Sequence, residues 1–252
     1  MKPDSQGTRA ILSFAHDAHT GITINNGYEQ GVVTMHRTES EQPPTLNEDP
    51  LHKRHQPTGL SDRVAFGLTK FLRFFADSFF AKRYGHRAVV LETVAGVPGM
   101  VGGMVRHMRS LRRLEDDREW IHTLLSEAEN ERMHLMVFIK IAQPSWLERM
   151  VILLAQSIFF TSFFILYIIS GRTAHRLVGY FEEEAVYSYT EYLAEVDNGN
   201  IPNIEAPQIA IDYWQLPADA KLREVIIAVR NDEAGHRDVN HGFADSFDRP
   251  DK

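Results

Sequence analysis

The chain has 252 residues, 43% hydrophobic and 24% charged, the composition of one sizeable globular domain rather than a disordered chain. Acidic residues outnumber Lys and Arg by 34 to 27, a net charge of −7 that argues against a nucleic-acid partner. There is no cysteine, which excludes disulfides, thiolate metal sites and cysteine nucleophiles, so any metal must be held by oxygen and imidazole.

Residues 1–60 are polar, with scattered Gly7, Gly21, Gly27 and Gly31, and they end in breakers from Pro43-Pro44 to Pro57. They are expected to form an irregular arm that wraps the domain or packs on a second subunit. The N-terminus lacks an apolar signal core and carries Asp4 and Asp17, so it reads as bacterial, or as a mature form whose transit peptide is gone.

Residues 61–245 read as one helical domain, with 246–252 as a tail. The first helix is expected over Asp62–Tyr84. Between residues 62 and 87, six cations (Arg63, Lys70, Arg73, Lys82, Arg83, Arg87) face only Asp62 and Asp77, interleaved with Phe71, Phe74, Phe75 and Phe79. Such a segment suits an anionic membrane surface. A second helix runs from Arg87 to about Arg113, kinked or tightly packed at Pro98 and the Gly99, Gly102, Gly103 cluster. A third spans Asp116–Ala142 and stops before Pro144; a fourth, capped by Ser145, spans Trp146 to about Ser170 and is ended by Gly171. A fifth covers Arg172–Val196. A loop with Pro202, Pro207 and Pro217 then leads to a last helix, Ala218 to about Asn240. No strand is expected, and the class is all-α.

Met150–Ile169 holds twenty residues without a charge, the length of a transmembrane span. At about 1.5 Å per residue, however, the path from His134 through the fourth helix and up the fifth returns Glu182 to within about one turn of His134. The run is therefore expected to be one arm of an antiparallel hairpin, with one face on the core and the other in one leaflet, a helix wholly buried in protein or one spanning the membrane being the alternatives.

Two Glu-x-x-His pairs carry the chemistry: Glu131-Arg132-Met133-His134 and Glu233-Ala234-Gly235-His236. This spacing sets carboxylate and imidazole side by side on one helix face. A pair alone is weak, and Glu119-Trp120-Ile121-His122 is assigned to a solvated face. The two pairs gain weight from what precedes them. Glu92 lies 39 residues before Glu131 in an apolar stretch, and Glu182 lies 51 residues before Glu233 at the head of Glu182-Glu183-Glu184. The order Glu, Glu-x-x-His, Glu, Glu-x-x-His over four helices is what a two-metal carboxylate bundle requires. Its mixed oxygen and nitrogen donors suit iron or manganese better than calcium or copper.

Leu91-Glu92-Thr93-Val94-Ala95-Gly96-Val97-Pro98-Gly99-Met100, Asn130-Glu131-Arg132-Met133-His134-Leu135, Gly179-Tyr180-Phe181-Glu182-Glu183-Glu184-Ala185 and Asn231-Asp232-Glu233-Ala234-Gly235-His236 together closely resemble the alternative oxidases over about residues 62–242. The resemblance implies a ferritin-like four-helix bundle with two additional membrane-associated helices. It implies two irons per chain held by Glu92, Glu131, His134, Glu182, Glu233 and His236. Glu182 is chosen over Glu183 and Glu184 because Tyr189, two turns on, matches the family's tyrosine beside the di-iron centre, where it suits an electron donor during O–O cleavage.

By position, Arg73, Asp77, Arg87, Leu91, Glu184, Ala185 and Ser188 match the family's quinol pocket, with Ser188 where some members have Thr. His107, Arg112, Asp117, His175, Tyr213 and Trp214 match residues around the ligands, and Asp232 or Asp117 is expected to fix a ligand histidine's tautomer. The N-terminal cysteines of plant members are missing, which puts thiol control in doubt. The implied activity is oxidation of ubiquinol with reduction of oxygen to water and no proton pumping. The implied setting is a homodimer in one leaflet of the inner membrane, on the cytoplasmic face in a bacterium or the matrix face in a mitochondrion. The rivals are another membrane di-iron hydroxylase or desaturase, which should lack the quinol-pocket residues, and a ferritin-like iron store.

Overall fold

The computed structural model describes residues 51, 53–80 and 83–247. The expected arm up to residue 50, Lys82, the Phe79 side chain and the end of the tail lie outside the described residues. Among the described residues seven α-helices follow in order: α1 (Leu60–Phe80), α2 (Tyr84–Arg113), α3 (Trp120–Ala142), α4 (Trp146–Ile169), α5 (Gly171–Asp197), α6 (Gln208–Trp214) and α7 (Leu222–Ser246). Among the described residues there is no strand, only a bridge between Glu205 and Lys221.

Two packed pairs make the bundle, α2 along α3 and α5 along α7, while α1 lies on α5 and α4 on α2. This is the four-helix bundle with two added helices that the sequence implies. Glycine allows the close approach within each pair. A Cβ on Gly99 would stand 2.3 Å from the Leu124 carbonyl oxygen, and one on Gly179 would stand 2.5 Å from His241 Nδ1. Two apolar clusters bracket a polar layer. Val89, Tyr189 and Val229 belong to one cluster, whereas Val97, Val101 and Tyr180 belong to the other. Glu92 therefore falls between the clusters on α2, and Glu182 between them on α5.

The helix ends depart from expectation for local reasons. α3 starts at Trp120 instead of Asp116 because Arg118 (φ 55°) and Glu119 (φ 64°) are both left-handed. Gly171 opens α5 rather than closing α4; Ser170, extended at φ −153° and ψ 93°, is the corner, and its hydroxyl accepts from the Thr173 N–H. α4 begins on a reciprocal cap, Ser145 with Glu148. Pro98 leaves α2 continuous. α7 starts later than Ala218 and runs on to Ser246, with the bridge at Lys221 just before it. α6 is a helix where a loop was expected; Pro207 precedes its first residue, a place proline tolerates.

α2 and α4 are long and apolar enough to cross a membrane, but they are used differently. The most apolar stretch of α2 is 56% buried within the protein and that of α4 only 17%.

Candidate metal centre

Glu131, His134 and Glu233 are buried on α3 and α7, and Glu92 is buried on α2. One ligand atom from each of Glu92, Glu131, His134 and Glu233 falls within 4.8 Å of all the others. His134 Nδ1 lies 3.3 Å from Glu92, 3.4 Å from Glu131 and 3.3 Å from Glu233. His236 Nδ1 adds 2.7 Å to Glu131 and 3.6 Å to Glu233. Glu182 is buried on α5, near enough to Glu233 and Glu131 for their charges to act on its carboxyl. Five of the six expected ligands thus come together directly, and Glu182 lines the same cavity as Glu92 and Glu233.

Close approach here does not mean hydrogen bonding. Glu92 Oε2, both Glu131 oxygens, Glu233 Oε2, His134 Nδ1 and His236 Nδ1 are buried without a hydrogen-bond partner. Orphaned donor atoms of this kind are costly unless something else satisfies them. Lone pairs spaced at 3.3–3.4 Å have the separation of neighbouring ligands on a cation about 2 Å from each.

The electrostatics agree. Burial and then the neighbouring Glu233 and Glu131 push the Glu92 and Glu182 carboxyls well up. Burial would also raise Glu131, but His134 and His236 outweigh it and hold that carboxyl well below the usual range. Burial would lower both imidazoles, yet the carboxylates raise them well above normal. Four crowded carboxyls drawing protons onto two buried imidazoles is the charge pattern a cation would relieve. The residues fit a metal site with carboxylate and imidazole donors.

Around this layer the side chains set orientation. His134 Nε2 donates to Asp232 Oδ2 at 3.1 Å, leaving Nδ1 toward the carboxylates. The same Asp232 oxygen accepts from Asn130 Nδ2 at 3.0 Å and Trp214 Nε1 at 2.8 Å, and Asn130 also donates to the Tyr213 hydroxyl at 2.9 Å. Tyr213 and Trp214 reach this group because they ride on α6. The Tyr189 hydroxyl donates to Glu92 Oε1 in a short bond.

Other expected neighbours of the ligands lie elsewhere. His107 and Arg112 are exposed on α2, about 22 and 30 Å along the axis from Glu92 at 1.5 Å per residue. Asp117 caps α3, accepting from the Ile121 N–H at 2.7 Å, about 15 Å of helix before Glu131. His175 is buried between the Tyr167 hydroxyl and Asn240, two turns before Glu182. Glu119 precedes α3 and, with His122, is exposed, as expected of that pair. Asn130 was overlooked as a site residue, although it stands beside Glu131 in the motif.

A cavity of about 900 Å³, mostly apolar, adjoins the layer. Arg73, Arg87, Leu91, Glu184, Ala185 and Ser188 line it, and so do Glu92, Glu182, Glu233 and Tyr189. Asp77 bridges two of the cations, accepting from Arg73 Nε at 3.1 Å and Arg87 Nη1 at 2.6 Å. Burial would raise Asp77, but these two guanidinium groups hold it below its ordinary value. Glu184 accepts from Lys70 Nζ at 2.6 Å and, in a short bond, from Arg73. Lys70 was read only as a helix charge.

The alternative oxidase family model matches residues 45–245 of the chain. A mitochondrial ubiquinol oxidase of Batrachochytrium dendrobatidis is 60% identical over 189 residues, 75% of this chain and 60% of that one. Mitochondrial ubiquinol oxidase 2 of Arabidopsis thaliana is 56% identical over 195 residues, 77% of this chain and 55% of that one. A mitochondrial ubiquinol oxidase of Mangifera indica is 58% identical over 195 residues, 77% of this chain and 61% of that one. The matches thus span about 55–61% of these relatives' lengths.

Proposed function

The chain belongs to the alternative oxidase family, and on that premise we propose that it is a quinol oxidase, oxidising ubiquinol and reducing oxygen to water at a di-iron carboxylate centre. One observation carries this reading: a single apolar cavity is lined both by the buried carboxylates Glu92, Glu182 and Glu233 and by the cationic groups Arg73 and Arg87. A storage protein has no use for such a cavity beside its metal layer, and it is sized for a ring with part of an isoprenoid tail.

Glu92, Glu131, His134, Glu182, Glu233 and His236 would hold two irons. When bound, that pair supplies the redox chemistry that passes quinol electrons to dioxygen. The protein's own groups do the rest. Arg73 and Arg87, tied together through Asp77, present guanidinium donors to a quinol oxygen, while Leu91 and Ala185 pack its ring. Glu184 and Ser188 offer acceptors for the quinol hydroxyl protons. Tyr189 holds its phenolic proton on Glu92 Oε1, and burial followed by Glu92 pushes that phenol well above its ordinary value. The apolar walls from α1 and α4 keep water from the layer.

The membrane reading follows from the same helices. Phe71, Phe74 and Phe75 on α1 and Leu154, Ile158 and Ile165 on α4 are exposed apolar side chains, and both helices line the cavity. A quinol dissolved in one leaflet would enter between them. Met100, Met104 and Met108 form an exposed row on α2, which a second copy in a homodimer would cover.

The test is oxygen uptake by membranes of an expressing cell with ubiquinol as donor and cyanide present. Cyanide-insensitive uptake absent from control membranes is expected; none, with the protein folded and iron-loaded, overturns the reading. Residues flanking α4, Glu148 and Arg172, should label from one side of sealed vesicles only. Labelling from opposite sides would defeat the one-leaflet placement alone.

A further inference from the structure

The quinol cavity has a second polar rim, made by Arg83, His86 and Glu148, to which the oxidase reading gives no part. Two consecutive residues at the start of α2 set the two rims apart. Arg87 Nη1 reaches Asp77 of α1 at 2.6 Å, whereas His86 Nδ1 lies 2.9 Å from Glu148 Oε1 on α4. Successive side chains leave a helix about 100° apart. One rim therefore belongs to α1 and α5, through Arg73, Asp77 and Glu184, and the other to α4.

Glu148 is already satisfied without the histidine. Its Oε2 accepts from the Ser145 N–H at 2.8 Å in the cap of α4, and its Oε1 accepts from Arg83 Nη2 at 2.9 Å. Ser145, ahead of its other neighbours, holds that carboxyl below its ordinary value. An ionised carboxylate has no proton to offer, and two lone pairs would repel each other at 2.9 Å. The proton between them therefore sits on His86 Nδ1, and the neutral ring keeps its lone pair on Nε2.

A carboxylate on one ring nitrogen and a lone pair on the other is the arrangement of a general base. The carboxylate fixes the tautomer and steadies the imidazolium that forms. As a tie between α2 and α4 the pair would add little, because both side chains are about one third exposed, at 31% and 32%. His86 also stands at a useful level: Glu92 is six residues on, about 9 Å along α2, and both residues line the cavity. A quinol carries its two hydroxyls on opposite edges of the ring, one for each rim.

Resting on the oxidase reading, we propose that His86 is a general base for quinol oxidation, with Glu148 as its positioning residue: His86 Nε2 takes the proton of the quinol hydroxyl that does not face Arg73 and Arg87. As that O–H bond breaks, an N–H bond forms on Nε2, and the ring's electrons leave by way of the metal centre for dioxygen. Each quinol gives up two protons and two electrons to become the quinone. His86 carries one of those protons, releases it to solvent at the exposed edge of its ring and returns to the neutral form.

Iron-loaded, detergent-solubilised wild type, His86→Asn, His86→Ala and Glu148→Gln test this with a short-chain ubiquinol, by iron content, kcat and KM, each with and without added imidazole. His86→Asn keeps a donor near the Nδ1 position and loses the basic nitrogen. It should keep its iron and its KM and lose kcat by about 100-fold. His86→Ala should fall as far, and imidazole should recover at least about tenfold of the loss, which no repair of a helix contact would do. Glu148→Gln, which still caps α4, should lower kcat by about tenfold with KM and iron content unchanged. Wild-type kcat in His86→Asn overturns the proposal, and so does a loss in His86→Ala that imidazole leaves unmoved. Loss of iron in either variant makes His86 structural and also overturns it. If His86→Ala does not fold, the kcat of His86→Asn decides alone. A folded, iron-loaded wild type that oxidises no quinol defeats the oxidase reading itself, whereas the variant outcomes are read against a wild type that turns over.

Discussion

Replacing Asp232 by Ala tests how the layer is held, because one carboxylate oxygen does three jobs. It accepts from His134 Nε2 at 3.1 Å, Asn130 Nδ2 at 3.0 Å and Trp214 Nε1 at 2.8 Å. Without it, His134 can take either tautomer, and the nitrogen facing Glu92, Glu131 and Glu233 is no longer assured a lone pair. Loss of an outer partner of this kind costs about 10–100-fold in metal affinity, or about 1.4–2.7 kcal/mol.

Bonds to a charged acceptor are worth about 1.5–3 kcal/mol each. Asp232 keeps 29% of its side chain exposed, so water would replace part of what is lost at Asn130 and Trp214. A stability loss of about 2–3 kcal/mol is expected, which for a domain of this size lowers Tm by roughly 5–10 °C. Chelator competition for iron and differential scanning calorimetry measure the two effects. Asp232→Asn, which keeps an acceptor oxygen but not the charge, should fall between. A folded Asp232→Ala protein with iron affinity within about twofold of wild type would refute this account of His134.

Glu131→Ala or His236→Ala should each cost most of the bound iron by metal analysis, since either change leaves an under-neutralised layer; Glu119→Ala and His122→Ala should leave iron content unchanged. Tyr189→Phe should bind iron normally and lose quinol oxidation by more than about tenfold; wild-type turnover would make the residue core packing. Asp62 is fully buried against Arg176 Nε at 3.0 Å. Burial would raise it, but Thr58 and Arg176 lower it from 3.8 to about 2. Because its folded pKa is depressed, its stabilisation is present above about pH 4 and is lost as pH falls toward 2, at about 2 kcal/mol in all. Urea titrations should show Asp62→Asn less stable than wild type at pH 7 and the gap narrowing below about pH 4; a gap that widens on acidification would reverse the sign.

The Glu-x-x-His pairs, the lone Glu92 and the triple-Glu run were legible because spacing along a helix is local, and helix path lengths bring Glu182 back to the level of His134. The helices themselves were legible for the same reason, from apolar periodicity and caps such as Ser145. Helix ends were less so: the left-handed Arg118 and Glu119 that delay α3 carry no local signal. α6 was hidden among the loop prolines that flank it, Pro202, Pro207 and Pro217, yet it delivers Tyr213 and Trp214 to Asp232. His107, Arg112 and Asp117 show the converse, since matching by position says nothing of how far along a helix axis two residues stand. Nor does the order show that α7 sets Asn240 against the half-buried Glu127 of α3, because desolvation and partners belong to the tertiary fold and not to residue order.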